Sequence, residues 1–398
     1  MMSDPEAKPQ YGSLYGILSG ILAFLVVIAG ILSNSEQIGS WIGRQFSKDP
    51  YVVKVSTASV VPSYLKYYYD EEGLAKEQSL YWFRAKVENK TRESLYLEVS
   101  FTLVPGDCNS VSLLSKDPFK YSLDPWQTRE YTINPPLEIN KHDFEGDCRL
   151  RINWVIENDR KEKKYTKADV NEITLLPLHT VKWDLVNPNN KPVSREFLLA
   201  SLAAWSLSRE KKVLDRAEQL RRHAGAGSPE QWFKFCYEDL FGGQSGLAIN
   251  IRERSYPFAG EKTVWPPAQV LSKGEAEPLE AGFLMAAMTR VEAATRGARL
   301  ALFVLPRAEG AHDPTVLFGW SLPNSDTWEA IDLREAKKMG FKPNLEQSRK
   351  LLRQVLDQRP EILQSLKERG VFIGSEPNSP SALAFGRAVE QFKIRALD

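Results

Sequence analysis

Cysteine and histidine are scarce in this chain, three and four residues among 398. So few cysteines exclude a disulfide-dense scaffold. His, Cys and acidic residues do not group at metal-ligand spacing, so neither a metal nor another cofactor is expected. An excess of charge of either sign is also missing, since 52 Lys and Arg stand against 51 Asp and Glu for a formal net charge of +1. That balance lacks the electrostatic footprint of a nucleic-acid-binding protein, and no nucleic acid is expected as partner. A serine nucleophile is equally unsupported: GQSG at Gly243 to Gly246 falls short of G-x-S-x-G, and no strand precedes Ser245.

The cysteines that are present divide into two kinds. Cys108 and Cys148 sit in the similar contexts PGDCNS and EGDCRL within one β-rich region. A disulfide between them and two isolated thiols are both open readings. Cys236 lies in the aromatic run QWFKFCYEDLF and reads as a small hydrophobe of a helix core rather than a nucleophile.

At this length the chain holds about two or three domains. Residues 1–10, with Pro5 and Pro9, read as a disordered tail. No charge interrupts the run from Tyr11 to Ser33, which has about the 20 residues a bilayer-crossing helix needs. The basic stretch before it is weak and no A-x-A site follows, so a retained anchor is expected over a cleaved signal peptide. Gly12, Gly16 and Gly20 recur every fourth residue, a spacing that permits close packing and a homo-oligomer through this helix. Their frequency also matches the ordinary glycine content of membrane helices. Residues 34–50 form a short amphipathic juxtamembrane linker with Trp41 placed for the interface. The expectation is a single-pass protein of the inner (cytoplasmic) membrane, in contact with the lipid bilayer, its C-terminal bulk outside the cytoplasm.

From residue 51 to 183 the period changes from helical to two. In LYLEVSFTL, Leu95, Leu97, Val99, Phe101 and Leu103 alternate with polar positions, and Cys148, Leu150, Ile152, Trp154 and Ile156 do so in CRLRINWVI. With four or five more such runs this predicts an all-β, immunoglobulin-like antiparallel sandwich. VNPNNKP marks a linker at residues 184–193. Residues 194–398 then alternate helices and strands. Ser194 is expected to cap FLLASLAAWSLS, and Ser228, Pro229 and Gln231 carry the marks of a capped helix start. Further helices are expected at LREAKKMG, at SRKLLRQVLDQ, at ILQSLKERG ending on Gly370, and after Ser379 and Pro380.

The stretch WPPAQVLSKGEAEPLEAGFLMAA, from Trp265 to Ala287, carries the functional signal. Pro278 suits a first helical turn, and Leu279, Phe283 and Ala287 follow at helical spacing, so a helix begins near Glu277. The W-x-P-x-x-V-L pattern, the strand LALFVLP at Leu300 to Pro306, LFGWSL and WEAIDLREAKKMGFKPN together resemble bacterial transglutaminase-like proteins of the papain fold. The resemblance covers about the second half of the chain. It implies an α+β domain in which a cysteine opens the helix, with a histidine and a carboxylate behind it. The cysteine's place is taken by Ala276 and that of a following acidic residue by Pro278. His312 and Asp332 stand near the positions of the base and the orienting carboxylate; a solvated loop and a helix cap are their structural alternatives. Glu275, Glu277 and Glu280 crowd the turn with charge that would raise a thiol's pKa.

A fold class follows: an N-terminal transmembrane helix, an Ig-like sandwich and a C-terminal transglutaminase-like domain. The degenerate motif implies a pseudoenzyme that binds a protein or peptide. Trp265, Glu275, Glu277 and Trp320 are expected to line its groove, with Ala276, His312 and Asp332 marking the decayed centre. The alternatives are a hydrolase or acyltransferase built on an acid pair such as Glu277 with Asp332, and a structural subunit of a membrane complex.

Overall fold

The computed structural model describes residues 51–394 apart from 63–82, 105–110, 114–117, 134–136, 140–145, 159–160, 162–163, 178, 225–227, 243–247, 253–259, 307–313, 323–324, 326, 337, 375–378 and 393. The first part is a sandwich. One sheet has the order β1-β3-β7, formed by β1 (Tyr51–Thr57), β3 (Phe83–Asn89) and β7 (Thr128–Ile133). The other has the order β2-β10-β9-β4-β6, formed by β2 (Val60–Pro62), β4 (Leu95–Leu103), β6 (Phe119–Leu123), β9 (Gly146–Asn158) and β10 (Lys164–Leu176). Strands β5 (Val111–Leu113) and β8 (Leu137–Ile139) pair separately. The period-two residues do what alternation requires, because Leu97, Val99, Leu150, Ile152, Trp154 and Ile156 all point inward and are fully buried. Phe83 joins the sheets, its ring 5.1 Å from that of Phe101 and 6.0 Å from that of Trp154. Buried Asn89 ties the ends of the sandwich together by donating to the carbonyls of Glu93 at 2.8 Å and Asp124 at 2.9 Å.

The segment after the sandwich is already part of the second core. Strand β11 (Thr180–Lys182) pairs with β13 (Glu261–Thr263), and Val181, Trp183, Leu185 and Val193 are buried among residues of the C-terminal domain. Ser194 caps α1 (Arg195–Ser201), which tightens into a 3₁₀ turn at Leu202–Leu207. Helix α2 (Lys211–Ala224) follows, then α3 (Pro229–Phe241), whose Ser228 and Gln231 form the anticipated capping box. Strand β12 (Asn250–Ile251) precedes β13, and α4 (Pro267–Lys273), β14 (Glu275–Ala276) and α5 (Pro278–Thr295) come next.

The five-stranded sheet of the C-terminal domain has the order β17-β16-β15-β19-β18 and is antiparallel throughout. Its strands are β15 (Arg299–Leu305), β16 (Thr315–Ser321), β17 (Glu329–Asp332), β18 (Val371–Ile373) and β19 (Ser381–Ala384). Both faces are covered. Leu300, Leu302 and Val304 belong to the core that holds α5, while Ala301, Phe303 and Leu305 meet α6 (Phe341–Gln358) and α7 (Glu361–Glu368). Helix α8 (Phe385–Gln391) closes the described fold.

Two local expectations fail for physical reasons. The described residues of LREAKKMG form bends and turns, held by Tyr237 Oη, whose one proton is shared between the carbonyls of Ala336 at 2.9 Å and Met339 at 2.7 Å. Ser379 and Pro380 introduce strand β19 before any helix, because SALA is buried on both faces and pairs with β15 and β18.

The membrane helix is a larger correction. Among the described residues no helix is long and apolar enough to cross a membrane. The 18-residue α5 is apolar because it is packed inside the domain, and it carries Glu280, Arg290 and Glu292; the 18-residue α6 has only one apolar stripe. The fold class of the described residues is therefore a β-sandwich followed by an α+β domain; they contain no transmembrane helix and give the membrane and single-pass assignments no support. Residues 1–50, including the Tyr11 to Ser33 run and Gly12, Gly16 and Gly20, lie outside the described residues.

Candidate functional site

The Trp265 stretch is held from both sides. Trp205 Nε1 donates to the carbonyl of Val264 at 3.0 Å, fixing the chain before the tryptophan. Pro266 and Pro267 start α4 where a missing N–H does no harm. Gly274 ends it in the left-handed region at φ 66°. The chain then reverses into β14, which pairs in parallel with β12: Asn250 N–H donates to the Gly274 carbonyl and Arg252 N–H to that of Ala276, both at 2.8 Å. Arg252 is thereby brought beside Glu275 and Trp265.

Glu280 organises this corner. Its Oε1 accepts from Trp265 N–H and its Oε2 from Glu277 N–H, each at 2.7 Å, and Arg252 Nη2 lies 3.8 Å away. Glu277 is the N-cap of α5 and its carboxylate accepts from the Glu280 N–H, completing a reciprocal box. Glu280 is 2% exposed. Burial raises its pKa to about 7 and outweighs the two backbone N–H donors and Arg252, which pull it down; nearby Glu277 adds to the rise.

Above this carboxyl sits an aromatic and cationic surface. The Arg252 guanidinium carbon lies 4.0 Å from the Trp265 ring centroid, and Lys273 Nζ lies 3.6 Å from it. Arg252 Nε also faces Glu275 Oε2 at 3.7 Å. Trp265, Arg252 and Glu275 are half-buried and Lys273 is exposed, so the ring and its cations meet solvent.

Of the residues singled out in the sequence, Trp265, Glu275, Ala276 and Glu277 come together here. Ala276 is fully buried, its carbonyl engaged in the β12 pairing. Asp332 sits across the sheet at the end of edge strand β17, opposite Leu317. Its Oδ1 accepts from Arg334 N–H at 2.8 Å, while its N–H and carbonyl are both bound by the side chain of buried Asn344. Asn344 also donates to Tyr237 Oη at 3.1 Å, and burial pushes that phenol up to about 12. Asp332 thus starts a turn. Trp320 is a core ring, 1% exposed and stacked 4.5 Å from Phe233, with no surface to offer a ligand. His312 and Cys108 lie outside the described residues, and Cys148 is placed only as a backbone position in β9. Cys236 is a buried free thiol whose pKa is driven well up by burial.

Sequence reasoning did not single out Arg252 or Lys273 and took Glu280 only as added charge. The E-x-x-E spacing of Glu277 and Glu280 is a legible capping signal. Arg252 had none, because a two-residue parallel pairing leaves no period in the sequence.

No protein-family model matches the chain, and no curated protein matches it. Among solved structures, a FixG-related protein from Vibrio parahaemolyticus is 15% identical, covers 32% of this chain and 97% of its own, and has a TM-score of 0.18. Native alpha-2-macroglobulin from Escherichia coli, from domain MG7 to the C-terminus, is 14% identical over 50% of this chain and 29% of its own, with a TM-score of 0.22. At those scores neither likeness bears on fold or function.

Proposed function

We propose that this chain is a non-catalytic recognition protein whose α+β domain binds a peptide or protein partner on the face around Trp265. The observation that carries the reading is Ala276. At the position where the transglutaminase-like resemblance puts a nucleophile stands a methyl group with no exposed surface. The neighbouring helix start is occupied by its own carboxylates, since Glu277 and Glu280 take the N–H groups that would otherwise meet a substrate oxyanion. Glu280 has the pKa of a general acid, but both its oxygens are bound inward. What remains outward is a half-buried tryptophan beside two cations, the kind of anchor enriched where proteins meet.

Two measurements on the whole chain test this. Ala276→Cys is expected to leave a thiol that iodoacetamide does not label at neutral pH, because the position is fully buried in the hydrophobic core; rapid labelling would mean that a catalytic geometry persists. A displayed peptide library panned on the wild type is expected to yield binders that Trp265→Ala loses. Cleavage or acylation of library peptides would establish an enzyme instead.

A further inference from the structure

A second surface lies at the other end of α5, about 20 Å along the helix from Glu277. It is a cavity of about 790 Å³ between the last turns of α5, the end of α7 and α8, floored by Leu300 and Trp328. That volume falls within the roughly 300–1,000 Å³ of small-molecule sites. Its walls are aliphatic and aromatic, with Val291, Leu363, Phe385 and Val389 contributing. Val291 is 56% exposed, a β-branched side chain left facing water at the mouth.

The polar part of the lining is strongly one-sided. Four cations, Arg290, Arg299, Lys367 and Arg387, stand against one carboxylate, Glu390. Glu390 is engaged by Arg387 Nη1 at 2.8 Å. Arg299 is held in place by Ser321 Oγ at 3.0 Å and by the Trp328 ring, 5.6 Å from its guanidinium carbon. The cations come from α5, β15, α7 and α8, so a molecule in the groove meets positive charge from several sides. The lining's own charge, four cations to one carboxylate, favours an anion, and the floor favours a hydrocarbon.

We propose that this groove binds a single-chain amphiphile with an anionic head, its chain over the apolar floor and its head at the cationic rim. A carboxylate and a phosphate head share this chemistry. Calorimetric titration of the whole chain with dodecanoate and with dodecyl phosphate, below their micelle concentrations, tests it against dodecanol and dodecyltrimethylammonium. At least one acid is expected to bind one to one with a dissociation constant on the order of 10–100 μM, and the tighter acid identifies the head. The alcohol is expected to bind at least about ten-fold more weakly, and the cation not at all. Val291→Trp, which fills the mouth, is expected to weaken the acid at least about ten-fold without moving the melting temperature. Exposed Lys367→Glu should weaken it about five-fold, and it serves as the independent variant should the tryptophan perturb folding. The proposal is overturned if neither acid binds, if the alcohol or the cation binds as tightly as the acids, or if both variants bind like the wild type.

Discussion

The two ends of α5 are opposites. Its first turn carries the stretch read as a degenerate motif, and there the carboxylates turn inward: Glu277 and Glu280 cap the helix, and Glu280 also holds the Trp265 backbone. Its last turns carry no motif, yet they border a cavity of about 790 Å³ ringed by cations. A sequence pattern therefore marks where chemistry would be arranged, while open space lies where the pattern is silent. The difference is physical. Charges buried at a helix start must be paired inward to persist, whereas an apolar wall beside water carries no such demand.

The sharpest way to break the contrast is to remove the carboxyl that closes the first end. Glu280→Ala leaves the N–H groups of Trp265 and Glu277 without their partners in a buried corner. Each orphaned donor costs on the order of 1–3 kcal/mol, so urea unfolding at about pH 5 is expected to show a loss of about 4 kcal/mol. A loss below about 1 kcal/mol would mean that water replaces the carboxyl and the corner is not closed.

A smaller effect tests the same group by titration. The folded pKa of Glu280, about 7, lies above its ordinary value of 4.5. The carboxyl therefore contributes most at low pH, and that contribution is lost as pH rises from the ordinary value through the folded one. From about pH 4.5 to pH 7 the decline amounts to about 3 kcal/mol, and the curve is flat beyond. Glu280→Gln cannot ionise, so the stability difference between wild type and variant, measured by urea unfolding across this range, should carry the decline alone. A difference that rises with pH would show that the backbone donors and Arg252 outweigh burial.

How far such features were legible depends on how many faces an element buries. Strands β4 and β9 bury one face each, and their alternation survives into the structure from Leu95 to Phe101 and from Leu150 to Ile156. Strand β19 buries both faces in four residues and follows a Ser-Pro pair, so it carries the mark of a helix start and no period. The stretch after Asp332 is rich in helix formers, but Tyr237 binds its carbonyls in turns from about a hundred residues away. At the candidate site, the start of α5 and its carboxylates could be read locally. Arg252 reaches Trp265 only through the pairing of β12 with β14, and Trp320 was lost to the core because Phe233 stacks on it. Contacts of long range write nothing into the local pattern.

The smallest expected effect sharpens the comparison from the outward side. Lys273 is exposed and touches the Trp265 ring at 3.6 Å, so Lys273→Ala removes one cation–π contact and leaves the corner beneath intact. Its effect on unfolding is expected at about 0.5 kcal/mol, near the lower end for exposed pairs. If the face around Trp265 serves a partner, the same substitution should weaken selected peptides by more than it weakens the fold, because binding desolvates the ring and its cation and strengthens their attraction. Equal effects on peptide affinity and on stability would place Lys273 among the residues that merely support the corner. The recognition face would then shrink to Trp265 with Arg252.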